Sequence, residues 1–243
     1  MTSAMEPGAP QQPGKANPFE RLAGVFISPA ETHKSIAARP DWLVPFLLIL
    51  VVSIGANFVV APHIDFEPQI RAQVEKQGGG EEDVEQALGM VEKFGKFQSI
   101  ITAVFVPIIL IVTAAVLLLA VKVMGGEGTF KQVFSITNYS WMPQILKAII
   151  ATAIIVPKGM IDARHLGTLL KSNLGFLADP LEAPVAFSFL SSLDAFTIWT
   201  LFLLTVGLSE AARFSRAKAA TIVVILWLVI VLAKAGLAAL GAA

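Results

Sequence analysis

The chain predicts an all-α, polytopic membrane protein: a bundle of five transmembrane helices, with interfacial helices ahead of it and a helical connector on its outer side. Three observations predict this. Of 243 residues, 55% are hydrophobic and only 15% charged, and the mean hydropathy of +0.72 is far from that of a soluble domain. Residues 100–123 run for 24 residues with one charge, Lys122, close to the end; at the helical rise that is about 36 Å, enough to cross a bilayer. Four further apolar segments are set off by polar connectors, giving spans at 43–61, 100–123, 134–156, 190–210 and 219–240.

Residues 1–18 are rich in Pro, Gly, Gln and Ala. They bury too little apolar area to offset chain entropy, so a disordered tail is expected. They also lack the basic stretch, apolar core and cleavage site of a secretory signal, which leaves the first span to direct insertion. Phe19, Leu22, Ala23 and Phe26 then recur at helical spacing. Ser28-Pro29-Ala30-Glu31 reads as a second helix start, with Ser28 as cap, Pro29 in the first helical position and Glu31 capping back. Residues 19–42 are accordingly two interfacial helices that pack Phe19, Leu22 and Phe26 onto the membrane face of the bundle, a partner groove being the alternative. Residues 43–240 form the membrane domain.

Between the first two spans, residues 66–97 predict one or two helices broken at Gly78, Gly79 and Gly80, with Ile70, Val74, Val84, Leu88 and Val91 at helical intervals. The run from Glu81 to Glu85 lacks the spaced oxygen ligands and central glycine of a calcium loop and reads as a solvated acidic helix start. The connector before the fourth span carries Leu166, Leu169, Leu170, Leu174 and Leu177, which predict an interfacial or re-entrant helix, or ordinary packing against the spans.

The joint Gly125-Gly126-Glu127-Gly128-Thr129-Phe130-Lys131-Gln132 reverses the chain between spans two and three. It lacks the phosphate-loop spacing that ends in Gly-Lys-Ser/Thr, and no strand precedes it. Thr129 and Gln132 instead read as a capping box opening the next helix. Pro107 and Pro143 interrupt their helices and mark a kink or hinge. Asp194 is placed to cap the fourth helix. Lys147 is expected to snorkel toward the joint side and Lys234 toward the other, because neither shows a carboxylate partner. Asn57, Asn138, Tyr139 and Trp141 offer interhelical bonds or interface anchoring.

Several function classes are excluded by composition. The 18 basic and 18 acidic residues cancel, leaving no phosphate-neutralising stripe for nucleic acid. Without cysteine there is no disulfide, thiolate zinc site or iron–sulfur cluster. His33, His63 and His165 are far apart in sequence, and no nucleophile elbow, HExxH helix or paired intramembrane carboxylates are present. No enzyme activity, cofactor or metal is therefore expected.

Basic residues set the orientation. Arg213, Arg216 and Lys218 lie in the short link before the last span, and Lys122 and Lys131 flank the joint, whereas the long connectors carry surplus acid. By the positive-inside rule the short links and the N-terminus are cytoplasmic and the C-terminus external.

The chain resembles bacterial members of the Yip1 family from Asn17 to Leu240. The resemblance rests on Asn17-Pro18-Phe19, Ser28-Pro29, Trp42 with Pro45, and the joint through Lys131; it continues in Tyr139 with Met142-Pro143, then Asp194, Phe196, Trp199 and Gly207, and last Ser215 with Lys218-Ala219. It implies a five-span bundle with a cytoplasmic N-terminus in the bacterial inner membrane. Eukaryotic relatives act in membrane traffic with prenylated GTPases, and nothing in these residues points to such a partner. The function expected is non-enzymatic: organising a membrane or cytoplasmic protein partner, or lipid, with a homo-oligomer left open. The alternative is a transporter, channel or lipid-moving protein, or an accessory subunit of one. The positions expected to matter are Gly125, Gly126, Gly128, Thr129, Phe130, Lys131, Tyr139, Pro143, Lys147, Asp194 and Trp199.

Overall fold

The computed structural model describes residues 17–95 and 97–240. Residues 1–16 of the expected tail lie outside them, and its last two residues belong to a helix start. Asn17 Oδ1 accepts from Phe19 N, and the Asn17 backbone N–H donates to Glu20 Oε2, a capping box followed by Pro18 in the first helical position.

Eleven α-helices are described: α1 (Pro18–Ile27), α2 (Pro29–Ala38), α3 (Leu43–Val60), α4 (Glu67–Lys76), α5 (Glu81–Gly95), α6 (Gln98–Val123), α7 (Phe130–Ser140), α8 (Met142–Ile155), α9 (Pro184–Ser192), α10 (Ala195–Ala212) and α11 (Arg216–Leu240). Among the described residues five stretches are long and apolar enough to cross a membrane: Leu43–His63, Ile100–Val123, Phe130–Lys158, Ala195–Ala212 and Arg216–Leu240. These helices are apolar on every side, so packing rather than polarity separates inside from outside. On α6, Leu110, Ala114, Leu117 and Val121 face the core, while Ile108, Val112 and Leu119 face outward.

The fourth span is the innermost: half of its residues are buried, against 33% or less in the others. Its cover is supplied by α1 and α2. Instead of lying flat on the bundle, these form an antiparallel hairpin that runs along α10 and α7. Phe26, near the hairpin tip, meets Trp199 edge to face at 5.1 Å, whereas Ala37 at the far end accepts a hydrogen bond from Gln132 of α7. Trp199 lies 13 residues, about 20 Å of helix, from the Ala212 end of α10. Only part of the expected stripe packs: Leu22 and Phe26 are half-buried while Phe19 is 67% exposed, and the face turned into the bundle is the one that carries Arg21 and Val25. Small residues permit the approach: a Cβ on Gly24 would lie 2.5 Å from Thr32, and one on Gly207 would lie 2.4 Å from Ile136 and 2.5 Å from His33. In lipid such close packing is the main force holding helices together. Ser28 makes no side-chain cap bond at the start of α2.

The two prolines behave differently. Pro107 sits inside an unbroken α6, correcting the expected interruption. Pro143 does end a helix: α7 stops at Ser140, Trp141 turns, and α8 restarts with Pro143 in its first turn, where its missing N–H costs nothing. The fourth span is shorter than the expected 190–210, because Leu193 and Asp194 leave the helical conformation and separate α9 from α10.

The two long connectors meet at one end of the bundle. Helices α4 and α5 break at Gly78, as expected, at a φ of 77°. Ile64 and Asp65 pair in parallel with Ile161 and Asp162, and Lys76 donates to the carbonyl of Leu181. Arg71 joins Glu67 and Glu81, and its guanidinium holds the Glu81 carboxyl below its ordinary range. The leucine-rich stretch, for which an interfacial or re-entrant helix is one of two readings beside ordinary packing, makes only 3-10 turns, Ala163–Thr168 and Leu174–Leu177. Gly167, Gly175 and a left-handed Lys171 (φ 47°) interrupt it.

Candidate functional site

At the bundle end opposite the connectors, the glycine joint is built into a three-part surface. Gly125 takes φ 77°, which a side chain would strain, and Thr129 and Gln132 form the expected capping box. A Cβ on Gly126 would lie 2.6 Å from Val121 and 2.7 Å from the Phe214 ring, and one on Gly128 would lie 3.4 Å from the Ala211 carbonyl. The joint is thereby tied to the link between α10 and α11. Glu127 pairs with Arg213 at 2.9 Å, and its backbone N–H reaches the Ala212 carbonyl at 3.4 Å. Lys122 donates to the carbonyl of Glu127 in the joint, and Lys218 to that of Met124, which the end of α6 leaves open. Lys218 also lies 4.1 Å above the Phe214 ring. Phe130, 42% exposed, and exposed Lys131 flank this surface.

Beside the joint is a polar cluster that sequence reasoning missed. Arg21, only 5% exposed, pairs with Asp41, donates to Ser35 Oγ at 2.9 Å and to the carbonyls of Ser35 and Arg39. The hydroxyl of Tyr139 donates to the other Asp41 oxygen at 3.3 Å. One turn deeper, His33 donates from Nδ1 to the Pro29 carbonyl and accepts at Nε2 from Ser140. Burial lowers the His33 pKa to about 4, against the opposing pull of the Pro29 carbonyl, so the ring is neutral near pH 7. The signal that could have found this cluster is Arg21 itself, a charge one helical turn from Val25 on an apolar stripe.

Toward the connector end, Asp194 caps α10 as expected, accepting from Phe196 N and Thr197 N. It also receives Lys147 at 2.9 Å and Ser172 at 2.5 Å, and is 1% exposed. This corrects the expectation that Lys147 snorkels toward the joint without a carboxylate. The third span begins at Phe130, so Lys147 lies 17 residues, about 26 Å, along it and opposite the start of α10. Gln144, one turn earlier, reaches Thr200 at 3.2 Å and Thr197 at 3.4 Å. These polar groups back a cavity of about 670 Å³ between α6, α8, α10 and α11. The structure therefore places Gly125, Gly126, Gly128, Thr129, Phe130 and Lys131 in one site and Lys147 with Asp194 in another. Tyr139 joins the Arg21 cluster, Pro143 sets the α7–α8 break, and Trp199 holds the hairpin tip.

A family model described as Yip1 domain matches residues 23–237. A membrane protein of Bacillus subtilis (strain 168), YknW, is 24% identical over 212 residues, covering 87% of each chain. No solved structure matches.

Proposed function

Because the chain belongs to the Yip1 domain family, we propose that it is a non-enzymatic integral membrane protein that organises partner proteins or lipids, with the joint face as its working surface. The observation that carries this reading is the union of three segments distant in sequence. The N-terminal hairpin, the glycine joint and the 213–218 link are locked side by side by Gln132 to Ala37 and by Glu127 to Arg213. Lys131, Arg216 and Lys218 give that surface a basic rim around Phe130. The same bases favour a cytoplasmic joint face in a bacterial inner membrane, with the N-terminus inside and the C-terminus outside. Photo-crosslinking side chains at Lys131 and Arg216, in native membranes, should capture the same protein or lipid from both segments. Repeated capture of nothing specific would overturn the reading.

A second reading, transport or lipid movement, is favoured by the side cavity. Purified protein in liposomes would then move ions, solutes or labelled lipids, and a robust flux would displace the scaffold reading.

A further inference from the structure

The side cavity opens at the lipid-facing surface of the bundle. Val112 of α6 and Val229 of α11 both line it and are 53% and 57% exposed. Its inner wall is polar, with Gln144, Thr197 and Thr200, and its floor includes Trp141 where α7 gives way to α8. Among the described residues two lysines line it, Lys147 and Lys234, and no carboxylate does. Asp194 stands behind Lys147 and matches that charge, while Lys147 keeps two ammonium donors free of it. Lys234 is exposed and makes no ion pair or hydrogen bond among the described residues. It lies 18 residues, about 27 Å, along α11 from Arg216, level with the connector end. The cavity thus presents an apolar slot continuous with hydrocarbon, a polar back and, among the described residues, one unmatched cation near a membrane boundary.

We propose that this cavity binds one phospholipid with an anionic headgroup, its phosphate held by Lys234 with Lys147 and an acyl chain laid along α6 and α11 toward Trp141. Apolar walls alone would accept any chain. Lys234 selects the charge, since a headgroup without surplus negative charge gains less from it. A water-soluble ligand has no reason to prefer a slot whose mouth is lined by exposed valines. The inference rests on the cavity rather than on the joint face, so it and the scaffold reading fail separately.

The test uses the full chain in nanodiscs with Trp42, Trp199 and Trp227 replaced by Phe, leaving Trp141 as the single reporter of the four tryptophans. Brominated phosphatidylglycerol should quench Trp141 at about fivefold lower mole fraction than brominated phosphatidylcholine, the contribution of one lysine near a membrane surface. Lys234→Gln should erase that difference without changing quenching by phosphatidylcholine. Val116→Phe, which fills the slot, should reduce quenching by both. Equal quenching by the two lipids, or a preference that survives Lys234→Gln, would overturn the proposal. Relief of quenching by millimolar glycerol phosphate would overturn it too, assigning the site to a soluble phosphate.

Discussion

Replacing Gly207 by alanine should lift the N-terminal hairpin from the bundle. The new Cβ would stand 2.4 Å from Ile136 Cγ2 and 2.5 Å from His33 Cδ2. Neither neighbour yields easily. Ile136 is fully buried, and the His33 ring is held at both nitrogens, by Pro29 and by Ser140. Overpacking of this kind costs about 1–3 kcal/mol, which raises the opening equilibrium of the hairpin about five- to 150-fold. The chain has no cysteine, so a single cysteine at Ala37, 8% exposed, reports that opening through its rate of maleimide labelling. A separate cysteine at Ala219, fully buried in α11, reports global unfolding and should stay protected. Gly55→Ala is the control, since a Cβ there meets nothing within 4 Å. If Gly207→Ala leaves labelling at Ala37 at the parent rate, the hairpin is not held by this contact.

Three further outcomes are expected. Asp194→Ala should destabilise the protein by about 1–3 kcal/mol through loss of the α10 cap and of the charged hydrogen bonds from Lys147 and Ser172, while Lys147→Gln with Asp194→Asn should recover most of the loss; equal thermal stability of single and double variants would contradict the pairing. Gly126→Leu should lower the unfolding temperature by overpacking against Val121 and Phe214, about 1–3 kcal/mol, and Thr129→Ala by about 1 kcal/mol through loss of the cap. The His33 pKa is depressed from 6.5 to about 4, so the unfolded chain binds the proton first as pH falls. Stability is therefore full above about pH 6.5 and drops through the window down to about pH 4, losing about 2 kcal/mol by pH 5; His33→Gln should flatten that part of a thermal-melt pH series.

What was legible in the sequence was local. Hydropathy located the spans, and short-range chemistry located the Thr129–Gln132 box, the Asp194 cap and the Pro143 break. Contacts between distant segments were not legible. The end toward which Lys147 points was not legible, because its carboxylate partner lies 47 residues away in the sequence. The hairpin's buried face is not identified by the apolar stripe of Phe19, Leu22 and Phe26, because it carries Arg21 and Val25 and leaves Phe19 exposed. Its actual seat is written in Gly24 and Gly207, small residues whose meaning depends on the surface opposite. The leucines of the second connector gave a helical signal that Gly167 and Gly175 override.

The hairpin along α10 also has a consequence for synthesis. Phe26 leaves the ribosome about 170 residues before Trp199, which at about 5–20 residues per second is on the order of 10–35 s. Through that interval the α10 part of the surface that receives the hairpin does not yet exist, although the α7 part, with Ser140, has already been made. The segment made early must wait beside the bilayer until the fourth span is inserted, and then close over it. A chain arrested before α10 lacks that part of the hairpin's seat and keeps the part that α7 supplies.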